Sequence, residues 1–243
     1  MSAKKQRQAE KSDFKKPNVL QVLETCSLLN ALSDEERLSL AEKSFLAYAE
    51  RGEAIWVAGA PSHFVGIVGQ GFVKMTRTTP QGSEVAMELL GPGQCFGLFA
   101  ALEGRSYPLA AIAVTNTWYA KIPTRPLIEV YNRSSAFKDQ AVRSLGPRLR
   151  RAHDMMARMS TGKVDQRIAA VLLILMDAYG EKTDDGVQIR VPLTRQDIAE
   201  MAGTTVETSI RVMSRWQKDG IVSTDHQVIT IADPVALDES LLM

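Results

Sequence analysis

Residues Leu193–Val222 read LTRQDIAEMAGTTVETSIRVMSRWQKDGIV, and they spell out two helix starts and two helix stops. Thr194 stands three residues before Asp197, the spacing of a capping box in which a hydroxyl serves the first-turn backbone and a carboxylate returns to the cap. The helix it opens ends at Gly203. Thr205 caps a second helix with Val212, Met213 and Trp216 on its predicted buried side, and Gly220 stops it. Two short helices meeting at a glycine turn predict a helix-turn-helix. Beyond it, IVSTDHQVITI (residues 221–231) gives two β runs around a polar Asp225-His226-Gln227 tip, the wing of a winged variant.

In such a unit the second helix enters the major groove of DNA by its N-terminal residues. Here the predicted DNA-binding set is Thr205, Val206, Glu207, Ile210 and Arg211, with Arg195 and Arg215 as further cations. Glutamate accepts from cytosine N4 and arginine donates to guanine O6 and N7, so Glu207 and Arg211, one turn apart, address one base pair or adjacent ones. When DNA is absent their spacing lets the two bond to each other, a surface pair contributing only ~0.2 to 0.5 kcal/mol.

Upstream, between Ala136 and Ser160, the apolar positions are Val142, Leu145, Leu149, Ala152, Met156 and Met159, spaced 3, 4, 3, 4, 3. This is a heptad seam. So narrow a stripe buries poorly against a broad surface and well against a copy of itself, and Arg143, Arg148, Arg150, Arg151 and Arg158 fall off it. A parallel homodimer is predicted. Gly146-Pro147 inside the helix predicts a kink or a fresh start near 146. A second amphipathic helix is expected over 164–179.

From Arg51 to Pro123 the pattern changes to short β runs (AIWVA, FVGIV, FVKMTRT, EVAMELL, LAAIAVT, TWYAKI) broken by glycines, which predicts a small antiparallel barrel or sandwich. Before it, 20–48 reads as helical, with Ser33 capping the acidic turn Asp34-Glu35-Glu36. The fold class is therefore α+β. An N-terminal jelly-roll-like barrel domain spans 18–135, a long dimerisation helix 136–160, and a winged helix-turn-helix 161–243. The first 17 residues carry six Lys or Arg against two acids and read as a disordered basic arm.

Composition narrows the class. The chain has 243 residues, 45% hydrophobic and 23% charged, enough for real cores, and its net charge of +1 requires any nucleic-acid contact to come from a local cluster. Its longest strongly apolar run, residues 168–176, is short of the ~20 residues of a membrane helix. A cytoplasmic protein with no membrane contact is expected. Two cysteines, Cys26 and Cys95, fall short of the four thiolates of an iron-sulfur cluster, which is excluded. They fit small core residues better than a thiol switch. A cupin-type enzyme would need clustered histidines, and His63, His153 and His226 lie on three separate segments. No catalytic site and no metal site is predicted.

Across about residues 20–235 the chain resembles the bacterial regulators named after the cyclic-AMP receptor protein and the fumarate and nitrate reduction regulator. The matching text is RGEAIWVAGAP (51–61), GIVGQGFVKMTRTTPQGSEV (66–85), LLGPGQCFG (89–97) and the stretch 193–222. The resemblance implies an effector-sensing β-roll, a dimer helix, a winged helix-turn-helix on near-palindromic double-stranded DNA, and RNA polymerase as a further partner. Val206-Glu207-Thr208 and Arg211 resemble the recognition helix of the oxygen-sensing branch. The family usually has an aliphatic core residue where Ser209 stands and a small or polar residue where Ile210 stands. Here Ile210 either contacts a thymine methyl or signals a slightly rotated helix.

The resemblance also implies where an effector would bind: Phe96, Gly97, Leu98, Arg105 and Ser106. Cyclic-nucleotide binders carry a glutamate after the Phe-Gly and, some ten residues on, an arginine with a serine or threonine. Leu98 cannot accept a ribose hydroxyl, and the arginine position falls near Tyr107 or Pro108. Arg105-Ser106 comes early, so cyclic AMP is disfavoured. Haem, with His63, His153 or a methionine as axial ligands, stands as an alternative to an unidentified small effector or none.

Overall fold

The computed structural model describes residues 15–241, except for the side chains of 158–161. Most of the expected basic arm, and the seam position Met159, therefore lie outside the described residues. The chain divides into two compact units, residues 1–74 with 89–144 and residues 75–88 with 145–243.

The first unit opens with α1 (Val19–Glu24), a 3₁₀ turn (Ser27–Ala31) and α2 (Asp34–Glu42), the last capped by Ser33 and Glu36 in a full capping box. Next comes a strand, β1 (Phe45–Ala49), where the sequence reads as helix to Tyr48. What overrides the helical pattern is a distant partner. β1 pairs antiparallel with β8 (Thr117–Pro123), Phe45 opposite Lys121, and Tyr48 packs on Trp118 with ring centroids 4.9 Å apart.

The intervening strands are β2 (Ala54–Trp56), β3 (Phe64–Gln70), β4 (Val73–Thr78), β5 (Glu84–Leu90), β6 (Cys95–Phe96) and β7 (Ala110–Ala113). They make two four-stranded sheets of order β1-β8-β3-β6 and β2-β7-β4-β5. This alternation is the jelly-roll pattern, and neither sheet closes on itself. A short helix, α3 (Leu98–Glu103), follows β6, and α4 (Thr124–Arg133) follows β8. One hydrophobic cluster gathers Leu23 and Leu29 with Val65 and Ile67 of β3 and Leu127 of α4, and so fastens the N-terminal helices to the first sheet.

The helix α5 (Ser135–Thr161) runs without a break through Pro147, so no fresh start occurs near 146. Proline crowds the Cβ of the residue before it, and here that residue is glycine. Phe137 and Ala141 of its first turns are buried in the core of the first unit. From there on the seam is bare: Val142 is 64% exposed, Leu149 56% and Met156 67%.

The second unit continues with α6 (Val164–Tyr179), β9 (Gly180–Thr183), β10 (Gly186–Ile189), α7 (Arg195–Ala202), α8 (Val206–Lys218), β11 (Val222–Asp225), β12 (Val228–Ile231) and α9 (Pro234–Glu239). Its sheet has the order β11-β12-β10-β9. Within the same unit Glu88 of β5 accepts from Arg148 of α5 at 2.9 Å. Among the described residues no helix is long and apolar enough to cross a membrane.

Candidate functional site

The helix-turn-helix is assembled by its caps. The Thr194 hydroxyl accepts from the Asp197 backbone while the Asp197 carboxylate accepts from the backbone of Thr194, so both halves of the capping box form. Gly203 ends α7 at φ 58°, a left-handed geometry that a side chain would strain. Thr205 then caps α8 by accepting from Thr208 N. The wing tip turns on His226 and Gln227, with φ of 45° and 70°; two consecutive positive values are those of a type I′ hairpin.

On α8 the residues Ser209, Val212, Met213 and Trp216 are buried. Burial of Val212 and Met213 contributes ~1.5 to 3 kcal/mol each and fixes the rotation of the helix. Val206 is half-buried, and Glu207, Ile210, Arg211 and Ser214 face out. The helix is thus not rotated to bring Ile210 inward: Ser209 is fully buried and Ile210 is 47% exposed. The Ser209 hydroxyl is left in the core with no hydrogen-bond partner.

Among the described residues no ion pair or hydrogen bond joins Glu207 to Arg211, although their spacing permits one. An exposed pair so weak does not offset the side-chain entropy of holding it, and both groups are left to the solvent. The other predicted cations differ. Arg195 donates to Thr224 Oγ1 of the wing at 3.0 Å and its pKa is lowered by burial, although arginine stays charged. Arg215 donates to Asp165 Oδ2 at 2.6 Å. Both are tied within the unit, whereas Glu207, Ile210 and Arg211 share one outward face.

Arg167 carries no signal in the sequence, because its importance lies in backbone carbonyls. Its Nε donates to Ala202 O at 3.0 Å, Nη1 to Gly162 O at 3.1 Å and Nη2 to Gly203 O at 3.4 Å.

In the sensor unit a group of aromatic rings joins the two sheets. Trp56 of β2 stacks on Tyr107 and meets Phe96 of β6 at 5.0 Å and Phe64 of β3 at 5.3 Å. Trp56 Nε1 donates to Leu109 O at 2.9 Å, and the Tyr107 hydroxyl donates to Phe64 O. A Cβ added at Gly66 would fall 2.2 Å from Phe96 Cζ, and one at Gly97 would meet Trp56 and Tyr107 at 3.0 Å. Leu98 is buried in the cluster beneath the N-terminal helices. Arg105 and Ser106 are exposed, and Arg105 Nε lies 3.6 Å from Glu103. The five predicted effector residues are therefore not brought together: Phe96, Gly97 and Leu98 are packed inward, and the cation lies outside.

His63 and His153 are each exposed. Cys26 and Cys95 both belong to or pack against the same core cluster. Among the described residues no three His, Cys, Asp or Glu side chains gather as a metal site.

Two family models match the chain: a cyclic nucleotide-binding domain over residues 46–134 and a Crp-like helix-turn-helix domain over 166–240. The transcriptional activator protein anr of Pseudomonas aeruginosa is 28% identical over 188 residues, 77% of this chain and 77% of that one. The fumarate and nitrate reduction regulatory protein of Vibrio cholerae is 26% identical over 190 residues, 78% of this chain and 76% of that one. The structure of FixK2 from Bradyrhizobium japonicum superposes with a TM-score of 0.72 at 22% identity, covering 81% of this chain and 96% of that one, a likeness of fold.

Proposed function

The chain belongs to the cyclic-AMP receptor protein/fumarate and nitrate reduction regulator family of transcription regulators, which bind DNA as dimers, and within it we propose a division of labour among named residues. Glu207 and Arg211 read a G·C pair, Ile210 contacts a thymine methyl, and Val206 with Thr205 borders the backbone. The observation that carries this is the outward face of α8, where Glu207, Ile210 and Arg211 stand together while Ser209, Val212, Met213 and Trp216 hold the opposite face inside. Arg195 and Arg215 orient the wing and α8 through their intramolecular bonds. Two copies joined along the 142–156 seam present two such faces to a near-palindromic site. The relative's name, a transcriptional activator, supports RNA polymerase as the next partner.

For the sensor unit we infer an effector other than cyclic AMP. An anionic phosphate needs its cation inside the site, and Tyr107 is buried in a stack with Trp56 while Arg105 faces solvent. The reading that this is an enzyme is not favoured, since His63, His153 and His226 lie on three separate segments of the chain. Selection of the purified protein against random duplexes tests the DNA proposal. The expected product is a near-palindrome with half-site centres about 10 base pairs apart; unselected, salt-sensitive binding to any duplex would sink it.

A further inference from the structure

Three consecutive side chains in the first turn of α6 bond to three different parts of the DNA-binding unit. Asp165 accepts from Arg215, near the C-terminal end of α8, at 2.6 Å. Gln166 Nε2 donates to Leu241 O at 3.0 Å, beyond α9. Arg167 reaches in two directions at once. Nη1 meets the carbonyl of Gly162, the residue that follows α5, at 3.1 Å, while Nε and Nη2 meet the carbonyls of Ala202 and Gly203, where α7 ends and the turn to α8 begins.

The last carbonyls of a helix lack partners within it and need donors from elsewhere. A guanidinium suits this place for a physical reason: its donors lie in a rigid planar fork, so satisfying three acceptors also fixes where those acceptors lie relative to each other. A lysine ammonium, a compact charge on a flexible stem, has no such template.

We propose that Arg167 is a positioning residue for operator recognition. By tying the carbonyl after the dimer helix to the turn before the recognition helix, it sets the pitch at which Glu207 and Arg211 are presented. The proposal rests on the DNA-reading role of α8. Arg167 touches no base; it acts through the Gly203 turn. An error in pitch matters most when two recognition helices must meet two half-sites with one fixed spacing, and much less when one helix meets one half-site.

The test uses the full-length protein and the duplex selected from the random library. Arg167→Ala is expected to weaken binding to the palindrome about tenfold, to leave affinity for a single half-site duplex near that of the unaltered protein, and to leave the slope of log affinity against log salt unchanged. Arg167→Lys, which keeps the charge and loses the fork, should show most of the same loss. Should Arg167→Ala not fold by circular dichroism, Arg167→Lys carries the comparison.

A fall in the salt slope of about 0.9 for each lost contact would mean that Arg167 holds phosphate, and the proposal is overturned. An equal loss on palindrome and half-site, or no loss on either, overturns it too. Failure of the unaltered protein to select any duplex would instead strike the DNA-reading role of α8, which is a separate outcome.

Discussion

The ring of Tyr107 lies over that of Trp56 with centroids 3.9 Å apart and planes 9° from parallel. Tyr107 falls near the place in the sequence where the resemblance to cyclic-nucleotide binders would put an arginine, and its ring is committed to this stack. A ligand at one hundred times its Kd adds ~2.7 kcal/mol to stability. Cyclic AMP and cyclic GMP at millimolar concentration are therefore expected to leave the thermal midpoint and the tryptophan emission unchanged, and a saturable upward shift would refute this reading. Tyr107→Ala should cost ~3 to 5 kcal/mol, read in urea unfolding.

The Ser209 hydroxyl is buried and unpartnered. Such a group is a liability rather than a support, so Ser209→Ala should raise stability by ~1 kcal/mol. Operator affinity should not change, because Ser209 faces the core. A loss of stability on the same substitution would show that the hydroxyl has a bonding partner.

Glu207 and Arg211 face solvent without a bond between them. Replacing either by alanine should move stability by less than ~0.5 kcal/mol. Base discrimination is another matter: Glu207→Ala should lower preference at the G·C pair of each half-site by ~1 to 3 kcal/mol. Competition binding with single-base operator variants measures it, and an intact preference would remove Glu207 from the readout.

Leu149 is 56% exposed at the middle of a bare apolar stripe on α5. Two stripes facing each other would bury it, and a carboxylate there would be buried twice per dimer. Leu149→Glu is expected to convert the dimer to monomer in sedimentation velocity runs. A variant that stays dimeric would place the interface elsewhere.

Tyr119 has its pKa pushed up to about 12, first by burial and then by the Glu53 carboxylate, and burial raises that of Tyr107 as well. An unfolded tyrosine ionises near ~10. With the folded value above the unfolded one, the contribution is complete below pH ~10 and is lost as the pH climbs toward 12. Thermal midpoints should hold up to about pH 9.5 and fall beyond it. Tyr119→Phe should flatten that fall, with tyrosinate absorbance reporting the ionisation.

Much of this protein is written in local text. The caps at Thr194 and Thr205, the stop at Gly203 and the bounds of α6 at Val164–Tyr179 all follow from residues within a turn of each other, and the structure places them as read. Side-chain spacing along one helix placed Val212, Met213 and Trp216 on the buried face of α8 and marked Val142, Leu145, Leu149 and Met156 as the stripe on α5, while the burial of Ser209 was left to the structure. These signals need no knowledge of distant partners, because a cap and a periodic face are satisfied within the element itself.

What tertiary structure decided needed a partner from far along the chain. Phe45–Ala49 became a strand only because β8 was there to pair with it. The sensor interior closed around Trp56 and Tyr107, residues from different strands and loops, and Arg105 was left outside. Arg167 gained its role from three carbonyls, and backbone carbonyls are the same in every sequence. Glu207 and Arg211 stayed apart despite a spacing that permits contact, since solvent competes for both charges. Sequence sets which contacts a segment can make alone, and packing sets which of its groups water can still reach.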